Sequence, residues 1–145
     1  MHPRAPGRPL WLGGVHFDEE AGLAGHSDGD AACHAIADAL LGAAAMGDVG
    51  QHFPDDDPAL AGIGGLDLLA RTVAMLRGRG LDPISIDVTL VCDRPSVAPR
   101  RDEMRATLAS VLELDLGRVS VKATRPEGLG LSGDGVGCLA IALVE

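Results

Sequence analysis

The chain has 145 residues, 46% of them hydrophobic and 23% charged, which is the size of one domain with enough apolar side chains to fill a core. Its 12 basic against 21 acidic residues leave a net charge of −9, a surface that repels the phosphate backbone and excludes generic nucleic-acid binding. No apolar run approaches the roughly 20 residues of a membrane span, and the N-terminal stretch lacks the apolar segment of a signal peptide, so a soluble cytoplasmic protein with no membrane partner is expected.

With 2% aromatic residues and no Tyr, stacking platforms for bases are nearly missing. Cys33, Cys92 and Cys138 are odd in number and widely spaced, which fits small core residues in a reducing compartment better than a disulfide framework. An acidic chain that handles a phosphorylated small molecule needs metal cations to supply part of the positive charge.

In chain order, residues 9–17 read as a short strand or hairpin with Gly13-Gly14 at its bend. Asp28 is expected to cap a helix over about residues 31–46, whose apolar face is Ala32, Ile36, Ala39, Leu40 and Ala43. A loop over residues 47–61 carries Asp48 and the run Phe53-Pro54-Asp55-Asp56-Asp57-Pro58, followed by a second helix at about 66–77 that Gly78 and Gly80 close. Residues 83–92 alternate at period two as a half-buried strand, Pro99 opens a third helix holding Leu108, Val111 and Leu112, and strands follow at about 119–123 and 138–144. The expectation is a single α+β domain over residues 1–145, an α/β sandwich with a mixed four-stranded sheet covered on one face by about three helices.

Chemistry concentrates in His26-Ser27-Asp28-Gly29-Asp30 and the helix behind it, where Asp30, His34 and Asp38 stand at i, i+4 and i+8 and share one face. An imidazole flanked by carboxylates on an otherwise Ala-rich helix suits a stripe turned toward an enclosed metal site. His2 by itself reads as a frayed terminus, His16 and His52 as surface imidazoles, and the Asp55-Asp56-Asp57 turn as a stiffened loop able to present a carboxylate to hydroxyl groups.

These residues resemble the 2-C-methyl-D-erythritol 2,4-cyclodiphosphate synthase family. The likeness runs through His26-Ser27-Asp28-Gly29-Asp30, His34, Asp38 to Ala45, Gly47-Asp48-Val49-Gly50 and Phe53 to Pro58. It continues at Asp87-Val88-Thr89, Arg94-Pro95, Val121 to Thr124, Glu127 and Leu129-Gly130. The resemblance implies a homotrimeric, metal-dependent phosphorus–oxygen lyase of non-mevalonate isoprenoid biosynthesis. Its substrate is 4-diphosphocytidyl-2-C-methyl-D-erythritol 2-phosphate, which it cyclises with release of CMP at sites between subunits. It further implies zinc on His2 and His34, magnesium or manganese on Glu127, and His26 as the catalytic stabiliser of the reacting phosphates. Ser27, Asp48, Gly50, Phe53, Pro54, Asp55, Asp57, Thr124 and Glu127 are implied as further substrate contacts, and Cys92 to Ala98 as the segment around the cytosine.

The chain departs from that pattern in places. The Asp of the family's Asp-x-His pair would lie before Met1, so the first strand is expected to be truncated and zinc occupancy low. Arg125, Ser96 and Asp134 stand where the family commonly has Thr, Lys and Arg. The alternative expectation is a non-catalytic homologue that keeps the trimer and the binding of a CDP-type nucleotide.

Overall fold

The structure, a computed structural model, describes residues 1–18, 20–129 and 134–145, and among them seven strands and four α-helices order the chain. Gly130, the last residue of the Leu129-Gly130 motif, lies outside them. β1 (His2–Ala5) opens the chain and is followed by the hairpin of β2 (Leu10–Leu12) and β3 (Val15–Phe17) and by the two-residue β4 (Gly22–Leu23). α1 (Ala31–Ala43), the single turn α2 (Val49–His52) and α3 (Gly65–Arg77) precede β5 (Pro83–Val91). α4 (Arg101–Leu112), β6 (Val119–Thr124) and β7 (Gly135–Val144) complete it.

The main sheet runs β4-β1-β7-β5-β6, with β5 and β6 parallel across the α4 crossover and the other neighbours antiparallel. It is a mixed sheet as expected, with five strands where the sequence pattern resolves four. The difference lies at the N-terminal edge. β1 and β4 are too short for a period-two signal, yet His2 pairs with Val136 and Arg4 with Leu23. The opening strand, expected to be truncated, begins at His2.

α1 lies on β7 and β5, α4 lies on β6, and α3 packs against both helices. Leu10, Leu12, Leu23, Ile36, Leu40, Leu41, Leu90, Met104 and Leu108 are all fully buried between these layers. Close approach of α3 to α1 requires Gly65, since a Cβ there would stand 2.7 Å from that of Asp30 and 2.9 Å from that of Cys33. On the other sheet face, β7 is exposed. Leu139, Ile141 and Leu143 alternate along β7 at 71%, 69% and 58% exposure, an apolar stripe in the middle of a sheet.

The cap of α1 is Asp30, not Asp28. Asp30 is wholly buried, and its carboxylate accepts hydrogen bonds from Ala32 N (3.1 Å), Cys33 N (3.0 Å), Gly13 N (2.9 Å) and Gly14 N (2.7 Å). Gly29, at φ +77°, turns the chain between the two acids. Asp28 is thereby left to accept from Asp30 N and from Gly65 N at the start of α3. α1 also ends earlier than expected, because Ala45 and Gly47 take positive φ values of 53° and 86° that no α-helix continues through.

Replacing Asp30 by Ala orphans four backbone donors, at least three of them in the interior. We expect a loss of about 4 kcal/mol of stability, measured by urea denaturation, against less than about 1 kcal/mol for an exposed carboxylate such as Asp56.

Candidate active site

A cleft of about 450 Å³ opens where β1, the loop over residues 25–30, α1 and α2 meet. β1 contributes His2, the loop His26 and Ser27, α1 His34 and Asp38, and the α2 region Gly50, Phe53 and Asp55. Residues far apart in sequence are placed together by the β1–β7 register and by the Asp30 cap, which fixes the azimuth of α1.

The two histidines His2 and His34 face each other with ring centroids 5.3 Å apart, tilted by 44°. His2 Nδ1 donates to the carbonyl of Ala24 at 2.9 Å, so Nε2 keeps its lone pair. Burial, and next the neighbouring His34, hold the His2 pKa below the usual imidazole value, which favours the neutral, ligating form. His34 Nε2 is 3.2 Å from Ser27 Oγ, while its Nδ1 is buried without any partner. With the Nε2 proton given to Ser27, Nδ1 keeps an unshared pair in the interior. Two oriented imidazoles of this kind are the donor set of a divalent transition-metal ion. Among the described residues no group of three His, Cys, Asp and Glu side chains could hold a metal ion.

The helix stripe divides. His34 and Asp38 line the cleft, but Asp30 is absorbed by the β2–β3 turn and does not reach it. Asp38 also accepts from Val49 N at 2.8 Å, tying α2 to α1. Asp48 caps α2 by accepting from Gln51 N at 2.9 Å, and Asp57 caps the short turn Pro58–Leu60 through Ala59 N. Both stand beside the cleft on the same loop as Phe53 and Pro54 and are not among its lining residues.

Thr124 and Glu127 lie elsewhere. Thr124 lines a shallow depression of about 200 Å³ with Cys92, Pro95, Ser96 and Arg125. Glu127 is exposed in a left-handed turn at φ 49°. Asp134 lines a third hollow with Arg4 and Arg94. Within one chain the residues that the resemblance implies as substrate contacts thus do not share one cleft. Of the remaining histidines, His16 pairs with Asp18 and His52 reaches the carbonyl of Met46, and neither enters the cleft.

Cys138 also lines the cleft. The apolar alternation of β7 disguises it as a core residue in the sequence, and only the strand's placement over α1 brings it beside the histidines.

A YgbB family model matches residues 1–145. The chain belongs to the YgbB family. It is 48% identical, over 99% of its length and 93% of the relative's, to the 2-C-methyl-D-erythritol 2,4-cyclodiphosphate synthase of Symbiobacterium thermophilum. It is 47% identical, over 100% of its length and 94% of the relative's, to that of Chloroherpeton thalassium. A solved structure of such a synthase superposes with a TM-score of 0.91 at 35% identity, covering 99% of this chain and 95% of that one. A synthase structure in its CDP-bound form superposes at 0.90 and 34% identity, with the same coverage of both chains. No described helix is long and apolar enough to cross a membrane.

Burial raises the pKa of all three thiols, Cys33 and Cys138 most strongly, so little thiolate exists near neutral pH even in the cleft. With dithionitrobenzoate at pH 8, the native protein is expected to show no fast-reacting thiol, and three after denaturation.

Proposed function

We propose that this chain converts 4-diphosphocytidyl-2-C-methyl-D-erythritol 2-phosphate into 2-C-methyl-D-erythritol 2,4-cyclodiphosphate and CMP. The observation that carries the reading is the facing His2–His34 pair beside His26 and Ser27 in one cleft, in a chain whose whole length matches the synthase family. The chain is a lyase of isoprenoid precursor biosynthesis.

In the reaction an oxygen of the 2-phosphate attacks the β-phosphorus of the diphosphate. The bond from that phosphorus to the bridging oxygen breaks, and CMP leaves with the electron pair. Nucleophile and electrophile are both anionic, so the chain must hold them in line and offset their charge. When bound, zinc on His2 and His34, with magnesium or manganese on the Glu127 carboxylate, supplies positive charge to the phosphate oxygens. His26 donates an N–H to the reacting phosphates and Ser27 a hydroxyl. Asp48 and Gly50 bind the ribose, and the stretch from Phe53 through Pro54 and Asp55 to Asp57 encloses the methylerythritol unit. Thr124 and Glu127 approach the diphosphate, and the segment from Cys92 to Ala98 encloses the cytosine. Three free cysteines support a reducing, cytoplasmic location.

The homotrimer that the family likeness implies is supported by two observations. Thr124 and the residues 92–98 lie apart from the cleft in one chain, so a single site requires a second copy. The exposed Leu139, Ile141 and Leu143 stripe supplies an apolar face for that assembly.

Incubation of the protein with the named substrate and a divalent cation is expected to release CMP and the cyclic diphosphate, followed by ³¹P NMR. His26→Ala is expected to lower kcat by about 10²–10³-fold. Retained CDP binding without CMP release would instead identify a non-catalytic homologue. Sedimentation is expected to return three times the chain mass for the native protein and a smaller species for Ile141→Glu, which places a charge in the apolar stripe.

A further inference from the structure

The loop that presents His26 is held by a side chain that no part of the reaction has so far used. Arg8 follows β1, and its guanidinium spans the loop. Nη1 donates to the carbonyl of Gly25 at 2.6 Å, and Nη2 donates to the carbonyl of Ser27. The carbonyl between them, that of His26, accepts from Gly62 N at 2.9 Å. Three consecutive carbonyls are therefore occupied: the rigid fork holds the Gly25–His26 and Ser27–Asp28 peptide planes, and Gly62 holds the His26–Ser27 plane between them.

Arg8 is itself anchored. Its own carbonyl accepts from Gly22 N at 2.8 Å, a contact that only glycine permits, since a Cβ at residue 22 would lie 2.7 Å from that oxygen. The guanidinium also stands apart from those arginines that form ion pairs. Arg71, Arg77, Arg100 and Arg105 pair with carboxylates, whereas among the described residues Arg8 donates to main-chain oxygens alone. His26 needs such support. Its ring is exposed in the cleft, and among the described residues no side-chain hydrogen bond fixes it, so its direction is inherited from its backbone.

We infer that Arg8 is a positioning residue for catalysis, fixing the His26 ring toward the reacting phosphates by bridging the carbonyls of Gly25 and Ser27. The inference rests on the reading that His26 acts on the phosphates. Lysine cannot replace the fork, because one ammonium on a flexible stem reaches one carbonyl and not both in a fixed plane. A displacement of about 1 Å in a catalytic group is enough to cost on the order of 10²-fold in rate.

Steady-state kinetics and NMR of labelled histidine test this on the full chain. Arg8→Ala is expected to lower kcat at least tenfold while KM changes less than about threefold, and methylguanidinium is expected to restore part of the rate. Arg8→Lys, the variant to use if Arg8→Ala does not fold, is expected to fall well short of wild type. The His26 ring resonances should shift or broaden in either variant, while those of His16 and His52 stay in place. A kcat within twofold of wild type in Arg8→Lys or Arg8→Ala, or unchanged His26 resonances, overturns the inference. If wild-type protein releases no CMP, the catalytic reading itself fails, and the His26 resonances then decide the positioning alone.

Discussion

One buried carboxylate organises the N-terminal half of this molecule. Asp30 accepts hydrogen bonds from four main-chain donors, two at the start of α1 and two at the β2–β3 turn. Charge-assisted bonds of this kind are roughly twice as strong as neutral ones, and a buried carboxylate without them would be intolerable. The position of the hairpin and the starting angle of α1 are thus a single variable. His34 stands one turn along α1 and Asp38 two turns, so their entry into the cleft depends on that bond set. The same constraint shapes the loop before it. With Asp30 drawn inward, Gly29 must take a left-handed conformation and Asp28 is freed to hold the N-terminus of α3.

Legibility in the sequence followed the length and regularity of each element. α3, α4, β5 and β6 were readable because their apolar residues recur at one period over many positions. β1 and β4 were not, since four and two residues carry no period and their pairing is decided by partners more than a hundred and about twenty residues away, respectively. The Asp28 and Asp30 assignment failed for a related reason. Both are good capping residues two positions apart, and what separates them is the Gly13-Gly14 backbone across the core, a tertiary contact. At the site, the motif identified His26, Ser27 and His34. The partnership of His2 with His34 came only from family likeness, because an isolated histidine at a chain's start has no spacing to interpret. Arg8 lay in a Pro- and Gly-rich stretch whose composition signals a loop and hides the use of its guanidinium.

Strand β7 is where the site and the expected assembly meet. Its residues alternate, so Cys138 faces α1 and the cleft while Leu139, Ile141 and Leu143 face outward. A period of two makes these assignments inseparable. A slip of one residue in the β5–β7 register would push leucine side chains toward the histidines and expose the positions that pack on α1. The long pairing from Pro83–Val144 to Val91–Gly137 therefore guards both surfaces at once. The Asp87–Lys122 ion pair on β5 and β6 adds a polar boundary beside the apolar stripe.

The net charge of −9 acquires a more specific meaning from this geometry. Much of the chain's basic complement is committed to internal tasks: Arg77, Arg100 and Arg105 bind carboxylates of their own fold, and Arg8 binds main-chain oxygens. The polar groups lining the cleft include the imidazoles and the carboxylates of Asp38 and Asp55, without Lys or Arg among the described lining residues. A diphosphate entering such a cleft meets hydrogen-bond donors but little fixed positive charge. In the proposed reaction, Coulombic stabilisation is left to groups that arrive with or around the substrate, the proposed cations and the proposed adjoining copy among them. Cation binding and assembly are on this view two halves of one electrostatic requirement, and a cleft lacking either would have to hold a polyanion against its own carboxylates.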